Sequence, residues 1–419
     1  MLYAAGYKLA KNKLSIERTG LFILDSQPEG AKILIDGQTQ QNWLGSFLKR
    51  DNYLVTPAKV TNLLPDEYEV SLELPGYWTW SKKLTINPGA STFAENIYLF
   101  KNDLPAQIIA GQIKAFSLAP DKSQLAILLT DQLYFLDLKN EEEKNIKHSD
   151  LRGKTIVWSE DQSKIVIDNF LYDLTDLAVR LNLNKIAPLS FNYKWQENVL
   201  YFQDKNSIYR LGADNLAKKI INIPVATDYL IKNGNLYLIN QAGKIISLEI
   251  IDLATKAAAK TINLPFPAAY SFINSENGWL NIFDDKNKIL YLLNQESGAP
   301  QLTAIDNVKT ASWINDDQLL YFNDYEIWLY NKTGGEKTLI TRISQPITAA
   351  LLHPNKNYII YSTEQTVNSI ELDQREKRNL TELIKFDKIN YLSLSADGKI
   401  LYFAGSINKA QGLYKLLLQ

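Results

Sequence analysis

Of the 419 residues only two are histidine, His148 and His353, and none is cysteine. Disulfides, zinc knuckles, iron–sulfur clusters and thiol nucleophiles are thereby excluded, and two histidines at sites not expected to meet cannot build a histidine metal cage. A Ser-His-Asp triad would need one of them beside a nucleophilic serine, yet no Gly-x-Ser-x-Gly elbow occurs. His353 precedes Pro354 in a short turn and His148 lies in the charged stretch from Glu141 to Asp150, so both read as solvated residues. Glycine loops of the Walker and dinucleotide types are absent, as is an Asp-x-Asp-x-Asp-Gly calcium loop.

Carboxylates remain, because a facing Asp/Glu pair can hydrolyse a glycosidic bond. Asp121, Asp161, Asp316 and Asp397, however, recur at one position of a repeat, which argues for hydrogen bonding to the local turn backbone rather than for one catalytic pair. Trp158, Trp195 and Trp313 share a strand register filled elsewhere by Leu and Ile, so they read as core packing and not as a carbohydrate-stacking row. No catalytic, cofactor-binding or metal-binding residue is therefore assigned. The candidates for contact with a partner are Trp43 and Phe47, in an apolar connection, and Trp78, which alternates with Tyr77 and Trp80 and so puts aromatic surface on an outer face.

The elements that hold these residues belong to a folded chain: 46% of residues are hydrophobic, 22% charged and 11% aromatic, with 45 basic against 46 acidic side chains. A net charge of -1 gives no long-range attraction to phosphate backbones or anionic lipid, so nucleic acid is not expected as a partner. No run of about 18 apolar residues is present. Residues 1–18 form a tail in which the apolar segment from Met1 to Tyr7 precedes Lys8, Lys11, Lys13 and Arg18, the reverse of a signal peptide's charge order. It reads equally as the remnant of a membrane anchor or as a frayed terminus.

Residues 19–100 show short alternating runs broken by turn residues, hence strands at Leu21 to Leu24, Ala31 to Ile35, Tyr68 to Leu74, Ser81 to Ile86 and Phe93 to Leu99. Asp36-Gly37 supplies a tight hairpin turn. Pro28-Glu29-Gly30-Ala31, Ile33, Ile35, Asp36-Gly37, Thr56-Pro57, Leu64-Pro65-Asp66-Glu67-Tyr68 and Pro75-Gly76-Tyr77 with Trp80 together resemble the PEGA domain. The resemblance implies a small immunoglobulin-like or transthyretin-like sandwich, usually a non-catalytic module of envelope proteins. Between Gly37 and Thr56 the chain departs from it with a longer loop carrying Trp43, Leu44, Phe47 and Leu48. Such a loop docks on a neighbouring domain or offers a contact surface, and docking is preferred.

Residues 101–419 repeat. Aligned on one turn position, Asp121, Asp161, Asn198, Gly234, Glu276, Asp316, Asn355 and Asp397 follow at steps of 40, 37, 36, 42, 40, 39 and 42, each with a large apolar residue three positions earlier. Four strands per unit make a propeller blade. The last unit lacks its outer strand, while residues 106–110 form a strand without a blade of their own, so the two chain segments are expected to pair and close a ring. The fold class is all-β: a small sandwich followed by an eight-bladed β-propeller, or a seven-bladed one if one unit is degenerate. Units such as Leu394-Ser395-Ala396-Asp397-Gly398 resemble bacterial WD-repeat-like propellers of the Tol type, without Trp-Asp or Gly-His dipeptides. The pairing of the two domains, with Gly6-Tyr7 near the start, resembles a bacterial envelope family with a preceding transmembrane helix. It implies an extracytoplasmic, membrane-anchored protein. The first function expected of the ring is a non-enzymatic scaffold, without a cofactor, that presents loops to a protein, peptide or cell-wall glycan. The alternatives are a polysaccharide-acting hydrolase or lyase using channel carboxylates, and a structural surface-layer component.

Overall fold

The computed structural model describes residues 6–9, 16–41, 53–140, 142–147, 153, 155–223, 226–273, 279–294 and 301–419. Trp43, Phe47 and His148 lie outside the described residues. The regular structure is almost entirely strand; the four-residue Leu183–Ile186 is the only helix among the described residues. It divides into two compact units, residues 1–111 with 347–419, and residues 112–346.

In the first unit, strands Ala58–Leu63, Gly20–Gln27 and Ser91–Tyr98 make one sheet, with the last two parallel. Strands Gln38–Thr39, Lys32–Ile35, Asp66–Glu73 and Trp80–Ile86 make another. Period-two alternation turns Phe22, Leu24, Ile33, Ile35, Val70, Leu72, Leu84 and Ile86 into one core. Asp36 and Gly37, both at positive φ, form the hairpin turn, and the Asp36 carboxylate accepts the Glu69 N–H at 3.0 Å. Ala58–Leu63 is a strand that the sequence reading passed over, because Lys59, Thr61 and Asn62 leave it few apolar residues at a sheet edge.

The same unit holds two four-stranded antiparallel sheets. One runs Ala349–Leu352, Tyr358–Ser362, Thr366–Glu371 and Leu380–Lys385. The other has Ala106–Ala110 as its outer strand, beside Ala410–Leu417, Ile400–Ile407 and Lys388–Leu394. Ile109 is buried and pairs with Leu413 across a bulge, and Gly412 is needed there, since a Cβ would lie 2.2 Å from the Ile109 carbonyl oxygen. The sandwich is sealed onto these sheets by Tyr98 and Phe100, which share a core with Tyr358, Leu401, Phe403 and Leu418.

In the second unit six four-stranded meanders follow one another, from Ala115–Leu118 to Lys337–Arg342, each ordered as in the sequence. Their second strands read as unbroken apolar runs because both faces are covered: Leu125, Ala126, Ile127 and Leu128 are all fully buried. Inner strands Ala115–Leu118, Ile156–Trp158, Phe191–Gln196, Ala226–Lys232 and Tyr270–Ile273 pack one against the next. Because every meander has the same order, the first-to-second and third-to-fourth turns lie on one side. The second-to-third turns and the connections between sheets lie on the other.

Candidate functional site

The two sides of the second unit differ in chemistry. On the first, Asp121 accepts the Ser123 N–H at 2.8 Å, and Asp161 accepts the Ser163 N–H at 3.0 Å and the Ser159 hydroxyl at 2.7 Å. These backbone and hydroxyl donors hold the Asp161 carboxyl below its ordinary range, as the Ser163 N–H favours its charged form most. At the expected Asp316 position the cap is its neighbour Asn315, whose amide oxygen accepts the Asp317 and Gln318 N–H groups at 2.9 and 2.8 Å. In the first unit Asn355 and Asp397 cap their turns in the same way. These side chains are occupied by turn backbone.

The other side, the connection face, carries large exposed apolar residues: Leu189 at 74% in one connection and Phe191 at 43% at the start of the strand that follows it, Phe266 at 44% in another connection, and Ile245 at 64% and Tyr325 at 49% beside second-to-third turns. On the turn side only Val179 and Leu216 are comparably exposed among the described residues of this unit. The connection face also holds a cleft of about 780 Å³ between the second and third meanders, lined among others by Asp168, Asn169, Asn182, Asn184 and Phe191.

A second depression, about 870 Å³, opens along the inner strands beside Trp158, Lys194, Trp195 and Phe272. Its walls are fastened by Asp228, which the sequence analysis did not single out. One Asp228 oxygen accepts the Asn192 amide at 2.6 Å, the Lys194 ammonium at 2.7 Å and the Tyr229 N–H at 2.8 Å; the other accepts the Phe272 N–H at 2.6 Å. The carboxylate thus ties three adjacent inner strands together and is spent on structure. Burial pushes the Lys194 ammonium below its usual pKa, against the pull of Asp228. Trp158 is buried edge-on to Phe135 and donates to the Ser117 hydroxyl at 3.2 Å, and Trp195 donates to the Val157 carbonyl at 3.2 Å. Each indole therefore bridges to the preceding sheet. Among the described residues no group of three or more His, Asp or Glu is placed to hold a metal ion.

Residues 19–97 match the model of the PEGA domain. They form a PEGA domain. The chain is also similar to the solved Dos1 propeller, with a TM-score of 0.54 and 14% identity over 76% of this chain and 96% of that one. A solved eukaryotic initiation factor gives a TM-score of 0.52 at 10% identity over 74% of this chain and 91% of that one. At such identities the likeness shows the fold alone, a β-propeller. A sequence comparison with curated proteins finds no match.

The residues that mark the PEGA domain are explained by its interior. Gly30 takes a positive φ of 90° and donates to the Thr56 carbonyl at 2.8 Å, while Ala31 is fully buried and donates to the Thr56 hydroxyl at 3.0 Å. The Tyr68 hydroxyl donates to the Leu64 carbonyl at 2.9 Å, pinning the turn before its own strand. Of the aromatic trio, Trp80 points inward and donates to Glu371 at 3.2 Å, whereas Trp78 is 36% exposed.

His353 is a correction. Expected to be solvated, it is 1% exposed, 4.4 Å from the Tyr98 ring. Its Nε2 faces the Gly398 carbonyl at 3.0 Å and its Nδ1 accepts the Asn355 N–H at 3.3 Å, an arrangement that fixes a neutral ring protonated at Nε2. Burial lowers its pKa. The turn is occupied by the PEGA domain's Tyr98 and Phe100, a long-range packing that the local polar sequence does not show.

Proposed function

We propose that this protein is a non-catalytic binding scaffold of the cell envelope, whose propeller offers its connection face to a protein or cell-wall glycan. The observation that carries the reading is the excess of exposed apolar residues on one face of the second unit: among its described residues Leu189, Phe191, Ile245, Phe266 and Tyr325 project from the connection face, against Val179 and Leu216 on the turn side. Exposed apolar groups of this size stabilise nothing in the free protein, and they mark contact surfaces when they gather on one side. The carboxylates best placed for chemistry, Asp161 and Asp228, are held by hydrogen bonds from their own structure. The β-propeller fold supports a scaffold role. The extracytoplasmic setting and the anchor follow from the resemblance of the domain pairing, and envelope fractionation of the native protein with an antibody tests them.

The binding role is tested with the full chain carrying Ile245→Lys, Phe266→Ser and Tyr325→Ser together. Partners cross-linked in envelope extract should be lost from this variant and kept by a control altered on the turn side at Leu216→Ser. Equal recovery from both, or release of reducing ends from a polysaccharide panel by the wild-type chain, would contradict the reading.

A further inference from the structure

We propose that the cleft between the second and third meanders is a binding site for a neutral carbohydrate, a deepening that rests on the connection face being the recognition surface. Besides Gly153 and Thr155, which precede the first strand of the second meander, the cleft draws on four further elements. Asn169 comes from the turn between Lys164–Ile167 and Phe170–Asp173, Asn182 from the end of Arg180–Asn182, Asn184 from the short helix, and Phe191 from the start of the next inner strand. Its volume, about 780 Å³, is within the range of small-ligand sites.

The chemistry of the lining selects the ligand. Among the described residues no lysine or arginine lines the cleft, so none of them offers a phosphate or carboxylate group a counter-charge. The one carboxylate among the described lining residues, Asp168, turns to the protein: it accepts the Gly153 N–H at 2.8 Å, and Gly153 has no room for a Cβ beside it. What remains is a strip of side-chain amides. The Asn182 oxygen accepts the Asn184 N–H at 3.0 Å and faces the Asn169 amide nitrogen at 3.5 Å. That orientation leaves the Asn182 nitrogen and the Asn169 oxygen to the cleft, and the exposed Asn184 amide adds a further donor and acceptor. A row of paired donors and acceptors matches vicinal hydroxyls, each of which both donates and accepts.

A purely apolar ligand would strip water from these amides without replacing it. Phe191, 43% exposed, supplies a flat apolar face for the C–H side of a pyranose. Phe170 and Tyr193, the other aromatic residues of the lining, are buried in the packing between sheets, so the cleft has no deep apolar pocket to anchor a peptide side chain.

The test is titration of the full chain, followed by calorimetry and ligand-observed NMR, with cellotetraose, chitotetraose, maltotetraose and mannotetraose, and with tetragalacturonate as the acidic control. At least one neutral tetraose should bind. Phe191→Ala should weaken it about tenfold, Asn169→Ala and Asn184→Ala should each weaken it severalfold, and all three variants should melt as the wild type does. Failure of every neutral tetraose, equal binding by the Phe191→Ala chain, preference for the galacturonate, or displacement by a peptide would overturn the proposal. The Ile245, Phe266 and Tyr325 variant leaves this cleft intact, so loss of sugar binding and loss of partner capture are separate results.

Discussion

Lys82 is the residue whose removal the structure makes most informative. Its side chain is 0% exposed, on the face of a PEGA strand that also carries Trp80, Leu84 and Ile86. Its ammonium meets Glu371 at 2.8 Å, Asp373 at 3.5 Å and the Asp373 carbonyl at 3.0 Å; the Glu371 side chain is 6% exposed and also holds the Trp80 indole and the Asn379 amide. Lys82→Met keeps the length of the side chain and deletes the charge, leaving Glu371 buried without a cation. Breaking a buried pair in this way costs about 3–5 kcal/mol, against a total stability on the order of 5–15 kcal/mol. The melting temperature of the PEGA-containing unit should fall by on the order of 10 °C. The double variant Lys82→Met with Glu371→Met removes both desolvation penalties and should recover most of that loss. Urea melts followed by tryptophan fluorescence, with hydrogen exchange across Trp80–Ile86, provide the readout. A single variant as stable as wild type, or a double variant no better than the single one, would refute the reasoning.

Other expectations follow from the same buried polar groups. His353 is neutral in the fold and its pKa is lowered by burial, so the unfolded chain binds a proton that the native one resists. Stability should be fully present above about pH 6.5 and decline below it, and a melting series from pH 8 to 5 should flatten in His353→Gln. Asp228→Asn leaves the half-buried Lys194 opposite an uncharged amide and loosens three inner strands, with an expected cost of about 1–3 kcal/mol in denaturant titration. Ile109→Asp puts a charge at a 5%-exposed position of the outer strand. It should cost about 2–5 kcal/mol or more and release Ala410–Leu417 to fast hydrogen exchange; an unchanged melting curve would count against it.

How far the sequence spoke depended on the range of the interaction. Period-two runs and Asx turns are local, so the sandwich strands and the capped turns at Asp121, Asp161 and Asp397 were legible from single windows. The strand from Ala106 to Ala110 could be matched to the last sheet because it was an apolar strand left over in a counted repeat. Lys82 shares its register with Trp80, Leu84 and Ile86, so its burial was there to be read from alternation, but its partners lie 289 and 291 positions away and were not. The same distance hid His353, whose polar turn gives no hint that Tyr98 and Phe100 cover it. A lone Asp228 within an apolar inner strand was a visible signal that the repeat alignment averaged away. The Asn169, Asn182 and Asn184 strip arises only when a turn, a strand end and a short helix meet, which no single spacing encodes.

Recognition by the connection face is tested most directly by site-specific photo-cross-linking. A benzophenone side chain placed at Phe266 or Tyr325 on the connection face, or at Thr333 on the turn side, is irradiated in envelope extract and the adducts are resolved by mass. Discrete adducts from positions 266 and 325 and none from 333 are expected; discrete adducts from 333, or the same adducts from all three, would contradict the account.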